Sequence, residues 1–386
     1  MKVPILGVSC TKFGEWWNKS LSDLLAEAAY GALADASLLP KDIDSVFVAN
    51  MCGEFFSGQG HLGSLVAHIL NRNVPSFRIE SACASGGAAL AAGVQAILSG
   101  NAQVVLVCGV EKMTDFNNGY ITDGLMAAAD RESEFFAGAT IPGLFALIAR
   151  YYMHTYGVER SQVAAVSVKN HAHALLNPLA HLSKKITVDD VLAAPMVADP
   201  LGLLDCSPVS DGAAAIILSS ADFAKKKGLV SVVASSLATD TLLIGQRSSW
   251  TSFKATQLAA QKAYAVAGLS PDDIDIVELH DAFSMAEVIA LEDLGFFMQG
   301  FGWQGALEKM TYLRGSLPVN VSGGLKAKGH PIGATGVAQG VEIVLQLRHQ
   351  AGARQVADAS VGLTHNMGGV GTSVAVHIFR SDNDHD

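Results

Sequence analysis

Apolar and polar positions alternate along the chain in blocks that predict strands and helices in turn. Short apolar runs bounded by turn residues, such as 102–109, 211–218 and 372–379, are typical of buried strands. The alanine-rich run that follows the glycine-rich turn at 83–87 is typical of a helix. Strands that alternate with helices indicate βαβ units, so we expect layered α/β domains.

One block of this pattern occurs twice. Residues 31–50 and 262–281 align at a constant offset, and both contain a helix end, a proline, the tripeptide Asp-Ile-Asp and the start of an apolar strand. A glycine-rich turn, a helix and a strand follow in each case. Such self-similarity indicates an internal duplication, so we predict two α/β halves.

The first half carries an insertion that has no counterpart in the second half. Residues 115–205 contain a helical stretch at 142–156 and polar, histidine-rich segments. We therefore predict one half from 1–114 plus 206–225 and the other from 226–386. A loop domain at 115–205 is expected to cover the functional site and to shape what binds there.

Composition narrows the classes of function. Hydrophobic residues make up 50% of the chain and charged residues 16%, and the formal net charge is −10. A disordered chain and a nucleic-acid partner are therefore not expected. No run of 18 apolar residues occurs, so no membrane span is predicted. The cysteines lack C-x-x-C spacing, which indicates reduced thiols in a cytoplasmic protein without a metal site.

Cys83 is the cysteine whose surroundings favour chemistry. It lies in the turn that opens the predicted alanine-rich helix, where free N–H groups and the helix dipole favour a thiolate. The alternative is a small buried residue, a common role for cysteine. Cys10, Cys52 and Cys108 lie in or beside apolar runs and are expected to be structural, whereas Cys206 lies at a turn and its role is open.

Two histidines are candidates for catalytic groups that act together with a thiolate. His330 lies between Gly329 and Pro331, which constrain the backbone on both sides and predict a placed imidazole that acts as a base. A phosphate cradle is the alternative, but the glycine spacing matches neither common phosphate-binding motif. His280 follows the predicted strand 274–279, where side chains tend to line sites, and could donate to an oxyanion.

Two further stretches leave alternatives open. Asp281 could orient a neighbour, but we expect it to cap the helix that starts after it. The glycine-rich turn 364–371 brings His365 and Asn366 to a loop that could reach the same pocket. It could equally be only a turn into the last strand.

Together these motifs resemble the thiolase superfamily over essentially the whole chain. The segment around Cys83 is similar to its nucleophile turn, and the Gly-Gly…Gly-His-Pro segment around His330 is similar to its long signature. The segment His280-Asp-Ala-Phe is similar to the sterol-carrier-protein-type and archaeal thiolases. The resemblance implies two duplicated halves layered as αβαβα, with 115–205 as a loop domain over the coenzyme A site.

The resemblance also implies roles for single residues. Cys83 would carry the acyl group as a thioester, His330 would be its base, and His280 would hold an oxyanion through a water, with His365 as a further catalytic candidate. Coenzyme A thioesters would be substrates, with no separate cofactor, and would be held by backbone amides and helix N-termini. The substrate-binding candidates are Ser322, Gly323, Lys326, Asn366 and Gly369.

One departure from the family leaves the chemistry open. Other thiolases have a second cysteine in a C-x-G motif or in H-D-C-F, whereas this chain has His365-Asn366-Met367 and Ala282 there. We expect reversible thiolysis of 3-ketoacyl-CoA. The alternatives are a decarboxylative or other carbon–carbon condensation by one cysteine and two histidines, or a non-catalytic acyl-CoA-binding subunit. The resemblance further implies a homodimer or tetramer, with a small zinc/OB-fold partner in archaeal relatives.

Overall fold

The computed structural model of the protein describes residues 1–224 and 230–382. The strands within these ranges are β1 (Val3–Cys10), β2 (Ser45–Ala49), β3 (Ser76–Ile79), β4 (Val104–Glu111), β5 (Met196–Ala198), β6 (Leu201–Gly202), β7 (Gly212–Ser219), β8 (Val230–Thr239), β9 (Ile276–Leu279), β10 (Val361–Gly368) and β11 (Ser373–Ser381).

The α-helices of the same ranges are α1 (Leu21–Ala36), α2 (Gly53–Ser57), α3 (Leu62–Ile69), α4 (Ser85–Leu98), α5 (Asn118–Leu125), α6 (Ile141–Tyr156), α7 (Arg160–Ala174), α8 (Val188–Ala193), α9 (Ala221–Ala224), α10 (Lys254–Ala267), α11 (Ser284–Asp293), α12 (Gln304–Leu307), α13 (Gly324–Lys328) and α14 (Ile332–Leu347). None of the helices in the described ranges is long and apolar enough to cross a membrane.

Strand order shows the duplication directly. The main sheet runs β3-β2-β4-β7-β1-β8-β11-β10-β9, so β1, β2, β4 and β7 of the first half correspond to β8, β9, β10 and β11 of the second. The pair β2–β4 of the first half and the pair β9–β10 of the second half are parallel. The next pair in each half, β4–β7 and β10–β11, is antiparallel. The halves join through the antiparallel pair β1–β8. The predicted duplication is confirmed.

Helices cover and separate the two halves of the sheet. Helix α1 packs on β1 and β7 of the first half, and α10 packs on β8 and β11 of the second. Helices α4 and α14 contact each other and strands of both halves, so they form a layer between them. The order helix, sheet, helix, sheet, helix is the expected αβαβα arrangement.

The middle layer is held together by direct contact between two helix backbones. A Cβ on Gly86 of α4 would lie 2.6 Å from the backbone nitrogen of Gly336 in α14, and a Cβ on Gly336 would lie 2.3 Å from the nitrogen of Gly87. Only glycine allows so close an approach. The turns that precede both helices, which carry Cys83 and His330, are therefore brought to the same end of the layer.

The insertion folds mainly as helices. Its predicted helical stretch corresponds to α6, and Phe145 of this helix packs against Phe283 of the second half with ring centroids 4.5 Å apart. Helix α7 packs against α11 and α13. The boundaries 1–114, 115–205 and 206–225 stay a prediction, and the proposed junction between 225 and 226 lies outside the described residues.

We predict that Gly86→Ala destabilises the fold by about 1–3 kcal/mol because the added methyl meets rigid backbone. The better helix propensity of alanine offsets at most about 1 kcal/mol of this cost. Urea unfolding checks the prediction. Gly245→Ala is the matched control, since a Cβ there meets nothing within 4 Å. Equal unfolding midpoints for the two variants would contradict the close contact.

Candidate active site

A cavity of about 340 Å³ lies between the insertion and the starts of α4 and α14. Apolar side chains of the insertion, such as Ile121 and Phe145, form much of its wall. Cys83, His280 and His330 line it as well. One thiol sulfur and one nitrogen from each ring lie within 4.8 Å of one another. The structure thus brings together three of the four predicted catalytic residues.

The Cys83 turn is tied to its own helix. The Ser85 hydroxyl accepts from the amide of Ser81 at 2.9 Å and donates to the carbonyl of Ala82 at 2.5 Å. Burial raises the pKa of the Cys83 thiol to about 12, while the backbone amide of Gly369 acts in the opposite direction. Burial therefore changes the pKa of Cys83 more than the helix N-terminus does. Cys83 is a thiol at rest, and it needs a base to become a nucleophile.

The hydrogen bonds of His330 fix its tautomer. Its Nδ1 lies 2.7 Å from the Thr335 hydroxyl, and that hydroxyl donates to the carbonyl of Pro331 at 2.9 Å. Since the hydroxyl proton is used on Pro331, Nδ1 of His330 carries a proton and donates. Burial lowers the pKa of His330 to about 3, so the ring is neutral. Its Nε2 is left with a lone pair, as a base for Cys83 requires.

His280 has the opposite tautomer. The Asn366 side chain accepts from the amide of Gly87 at 2.9 Å, so its nitrogen donates to the carbonyl of Cys83 at 2.9 Å and to Nδ1 of His280 at 3.3 Å. Nδ1 accepts, and the proton of the neutral ring is on Nε2. Burial and the nearby His330 ring hold the pKa of His280 well below its usual value. His280 is a donor in this site, not a base.

His365 does not line the cavity. It is fully buried, its Nδ1 accepts from the backbone amide of His280 at 3.5 Å, and its Nε2 lies 3.0 Å from the Thr256 hydroxyl. Asn366 is likewise buried and bridges protein groups. Both residues support the position of His280, whereas Gly369 does line the cavity, beside Cys83.

Three further substrate-binding candidates, Ser322, Gly323 and Lys326, do not line the cavity. Ser322 is buried and donates from its hydroxyl to Glu278 at 2.6 Å. Gly323 has a positive φ of 106° in the turn before α13. Lys326 is buried with its ammonium 3.4 Å from Nε2 of His171, and burial lowers its pKa to about 8. The structure does not bring these three to the cavity surface.

The expectation that Asp281 caps the helix after it is wrong. Helix α11 begins after Phe283 without a side-chain cap. Asp281 instead accepts from the amides of Leu325 at 2.6 Å and Lys326 at 3.2 Å, at the start of α13. It also accepts from Asn170 at 2.6 Å. The residue next to His280 therefore anchors the segment that leads to His330.

Glu111 is a functional support that the sequence analysis missed. It is fully buried at the end of β4 and accepts from the amides of Met51, Cys52 and Gly333, each at 3.1 Å. Burial raises its pKa to about 7. Glu111 holds the start of α14, and with it the His330 turn, against the first half. Its only sequence signal is a carboxylate at the end of an apolar strand.

In the described part of the chain, Cys83, His280 and His330 are also the group of side chains that could hold a metal ion. A thiolate and two imidazoles are ligands that suit zinc. Binding there would use the Nε2 lone pair of His330 and displace the proton of His280. The expectation that the protein needs no metal stays a prediction.

Comparison of the chain with models of known protein families identifies the family to which it belongs. The thiolase N-terminal domain model matches residues 3–222, and the thiolase C-terminal domain-like model matches residues 236–381. The chain belongs to the thiolase family. The first match contains Cys83, and the second contains His280 and His330.

Curated relatives of this thiolase-family chain match it end to end. The acetyl-CoA acetyltransferase of Methanothermobacter thermautotrophicus is 49% identical over 98% of this chain and 99% of its own. That of Methanocaldococcus jannaschii is 42% identical over 98% of both chains. Human sterol carrier protein 2 is 35% identical over 98% of this chain and 72% of its own. The expected branch of the family is confirmed.

Solved structures agree on the thiolase fold. The Ltp2-ChsH2(DUF35) aldolase superposes with a TM-score of 0.85 and 25% identity over 100% of this chain and 99% of that chain. Human mitochondrial 3-ketoacyl-CoA thiolase in complex with CoA has a TM-score of 0.76 over 98% of both chains. At 19% identity, the second likeness shows the fold alone.

We predict that Asn366→Asp moves the proton of His280 from Nε2 to Nδ1, because a carboxylate accepts where the amide donated. Losing a donor from the site should lower turnover on the order of 10²-fold. Histidine ¹⁵N shifts report the tautomer. Thr335→Val is the control, since it frees His330 but leaves His280 unchanged. An unaltered Nε2–H signal in Asn366→Asp would contradict the network.

Proposed function

We propose that this thiolase-family chain is an acyl-CoA C-acyltransferase that makes or breaks a carbon–carbon bond beside a thioester. The supporting observation is the pairing of opposite tautomers: His330 offers a lone pair and His280 offers a proton, both beside the thiol of Cys83. The 49% identity to an acetyl-CoA acetyltransferase supports acetyl-CoA as a substrate.

Acyl transfer to the enzyme uses Cys83 and His330. The Cys83 thiol passes its proton to Nε2 of His330 as the sulfur attacks the thioester carbonyl, and the thiolate of coenzyme A leaves. That thiolate then takes the proton from His330, and the acyl group stays on Cys83 as a thioester. A neutral His330 is ready for this exchange, because burial keeps its pKa low.

The carbon–carbon step uses His280. When a second acyl-CoA becomes an enolate, negative charge develops on its thioester oxygen, and a placed donor in a dry site stabilises that charge. Nε2–H of His280 can donate directly or through a water. Apolar side chains form much of the cavity wall, and an apolar surrounding strengthens this interaction.

A second candidate function is a decarboxylative or other carbon–carbon condensation, in which no second thiol removes a proton from the α-carbon. The specific observation is the likeness to the Ltp2-ChsH2(DUF35) aldolase, together with Ala282 and His365 at the family's usual thiol positions. Decarboxylation of malonyl-CoA would form the enolate without a base. Thiolysis remains the favoured reaction because the full-length relatives are acetyltransferases.

Assembly and location complete the proposal. We propose a homodimer or tetramer in the cytoplasm, with coenzyme A thioesters as substrates and no separate cofactor. The name of the Ltp2-ChsH2(DUF35) aldolase includes a DUF35 component, and this supports a small partner subunit for the present chain. The zinc/OB-fold character of that subunit is part of this proposal.

We predict that acetyl-CoA adds one acetyl group to the protein at Cys83, and that Cys83→Ala abolishes the addition. His330→Ala should slow it on the order of 10²–10⁴-fold, since a general base is removed. Intact-mass spectrometry and peptide mapping check both results. Cys108→Ala, in the core of the first half, is the control and should keep the adduct. A wild-type chain without an adduct would contradict the proposal.

We also predict that the chain cleaves acetoacetyl-CoA with free coenzyme A, and that it condenses acetyl-CoA without carbon dioxide release. Coupled assays with acetyl-CoA alone and with added malonyl-CoA separate the two candidate functions. Condensation only with malonyl-CoA, accompanied by carbon dioxide, would favour the decarboxylative reaction. Absence of any cleavage would count against thiolysis.

A further inference from the structure

The cavity beside Cys83 is much larger than an acetyl group. Its volume is about 340 Å³, whereas a cavity of about 150 Å³ lined by aliphatic and aromatic side chains already takes a benzene molecule. The thioester and the end of the coenzyme A arm use part of the space. The rest has room for a hydrocarbon chain of about six to eight carbons.

The wall nearest the nucleophile is a continuous apolar surface. Cys83 packs against a cluster of apolar side chains from α5, the turn after it, and the starts of α6 and α14. The members of this cluster that line the cavity include Met113, Ile121, Leu125, Ala128, Ile141 and Ile332. Four of these six side chains are buried. An acyl chain on Cys83 therefore leaves water as it meets this wall.

Solvent exposure separates the mouth of the cavity from its closed part. Val197 and Leu203 line the cavity but are exposed. The uncharged polar side chains Asn118, Thr122 and Ser207 also line it and are exposed or half-buried. The pantetheine arm of coenzyme A carries amides, which need hydrogen-bond partners wherever they are buried. The mouth suits that arm, and the closed apolar part suits a hydrocarbon chain.

Helix α5, which forms one side of the wall, is held in place from outside. The ring of Tyr120 stacks on Phe55 of α2 with centroids 4.4 Å apart, and its hydroxyl donates to the carbonyl of Phe55 at 3.0 Å. A Cβ on Gly124 would lie 2.6 Å from the ring of Phe56, so the two helices meet closely. These contacts fix the wall independently of a substrate, which keeps the ordering cost of binding low.

Ala128 is the wall position next to the reacting sulfur. Its carbonyl oxygen would lie 2.6 Å from a Cβ on Gly369, and the amide of Gly369 forms a hydrogen bond with Cys83. Ala128 is buried and lines the cavity. Ala127, its neighbour in the same turn, is exposed. A larger side chain at position 128 would therefore take space from the pocket, whereas one at position 127 would meet solvent.

We propose that this pocket binds the acyl group carried by Cys83 and prefers acyl chains of about six to eight carbons, an inference that rests on the proposed acyl-CoA C-acyltransferase function. In thiolysis the fragment beyond the β-carbonyl stays on Cys83, and the two-carbon fragment leaves as acetyl-CoA. The preferred substrates are thus medium-chain 3-ketoacyl-CoA thioesters, although the acetyltransferase relatives are named for the acetyl group alone. Ile121 and Ala128 are specificity-determining residues.

The first measurement is the dependence of thiolysis on chain length. We determine kcat/KM with free coenzyme A for acetoacetyl-CoA and for the 3-keto derivatives of hexanoyl-, octanoyl-, decanoyl- and dodecanoyl-CoA. Each methylene that leaves water should raise kcat/KM about fourfold. The step from acetoacetyl-CoA to 3-ketooctanoyl-CoA should therefore raise it on the order of 10²-fold. A kcat/KM that stays equal or falls with chain length would overturn the pocket assignment.

Two variants change the size of the pocket in opposite directions. Ala128→Leu should lower the ratio of kcat/KM for 3-ketooctanoyl-CoA to that for acetoacetyl-CoA more than about tenfold, because leucine fills space that the chain needs. Ile121→Ala should move the best substrate to a longer chain, because it enlarges the pocket. Ala127→Leu makes the same change on the exposed neighbour and should keep the wild-type profile. An unchanged ratio in both pocket variants would contradict the assignment.

Binding without turnover separates this inference from the proposed function. Cys83→Ala removes the nucleophile, and calorimetric titration then gives the Kd of acetyl-, hexanoyl- and octanoyl-CoA. We expect hexanoyl-CoA to bind on the order of 10²-fold more tightly than acetyl-CoA. Such tightening in a chain whose wild type shows no thiolysis would overturn the proposed function and support the pocket. Equal Kd values, together with cleavage of acetoacetyl-CoA by the wild type, would overturn the pocket alone.

Discussion

The side-chain amide of Asn366 is the interaction on which the site depends. It accepts from Gly87 in α4, donates to the carbonyl of Cys83, and donates to the ring of His280. One planar group thereby fixes the nucleophile of the first half and the proton donor of the second. Because the amide has two donors and one acceptor in fixed directions, it also decides which nitrogen of His280 is protonated.

Burial explains why the site works with neutral groups. It lowers the pKa of His330 to about 3 and raises that of the Cys83 thiol to about 12, so neither carries charge at rest. Charge then appears only as the reaction proceeds, where His280 and backbone donors meet it.

Much of this could be predicted from the sequence, for physical reasons. The 31–50 and 262–281 repeat gave the paired halves because both copies bury the same apolar positions, and the constrained Gly-His330-Pro turn marked the base. Asp281 and Glu111 could not be assigned, because their partners are backbone amides far along the chain. For Lys326, sequence shows the ammonium but not that the fold buries it.

The backbone contact between Gly86 and Gly336 has a consequence for how this protein tolerates change. Helices α4 and α14, which follow the Cys83 and His330 turns, meet at two residues without side chains, so no side chain separates the two backbones at this contact. A side chain at either position would push the two helices apart, and with them the turns that carry the nucleophile and its base. A change at the crossing of two helices, out of contact with the reacting atoms, would therefore be felt as a change in their spacing.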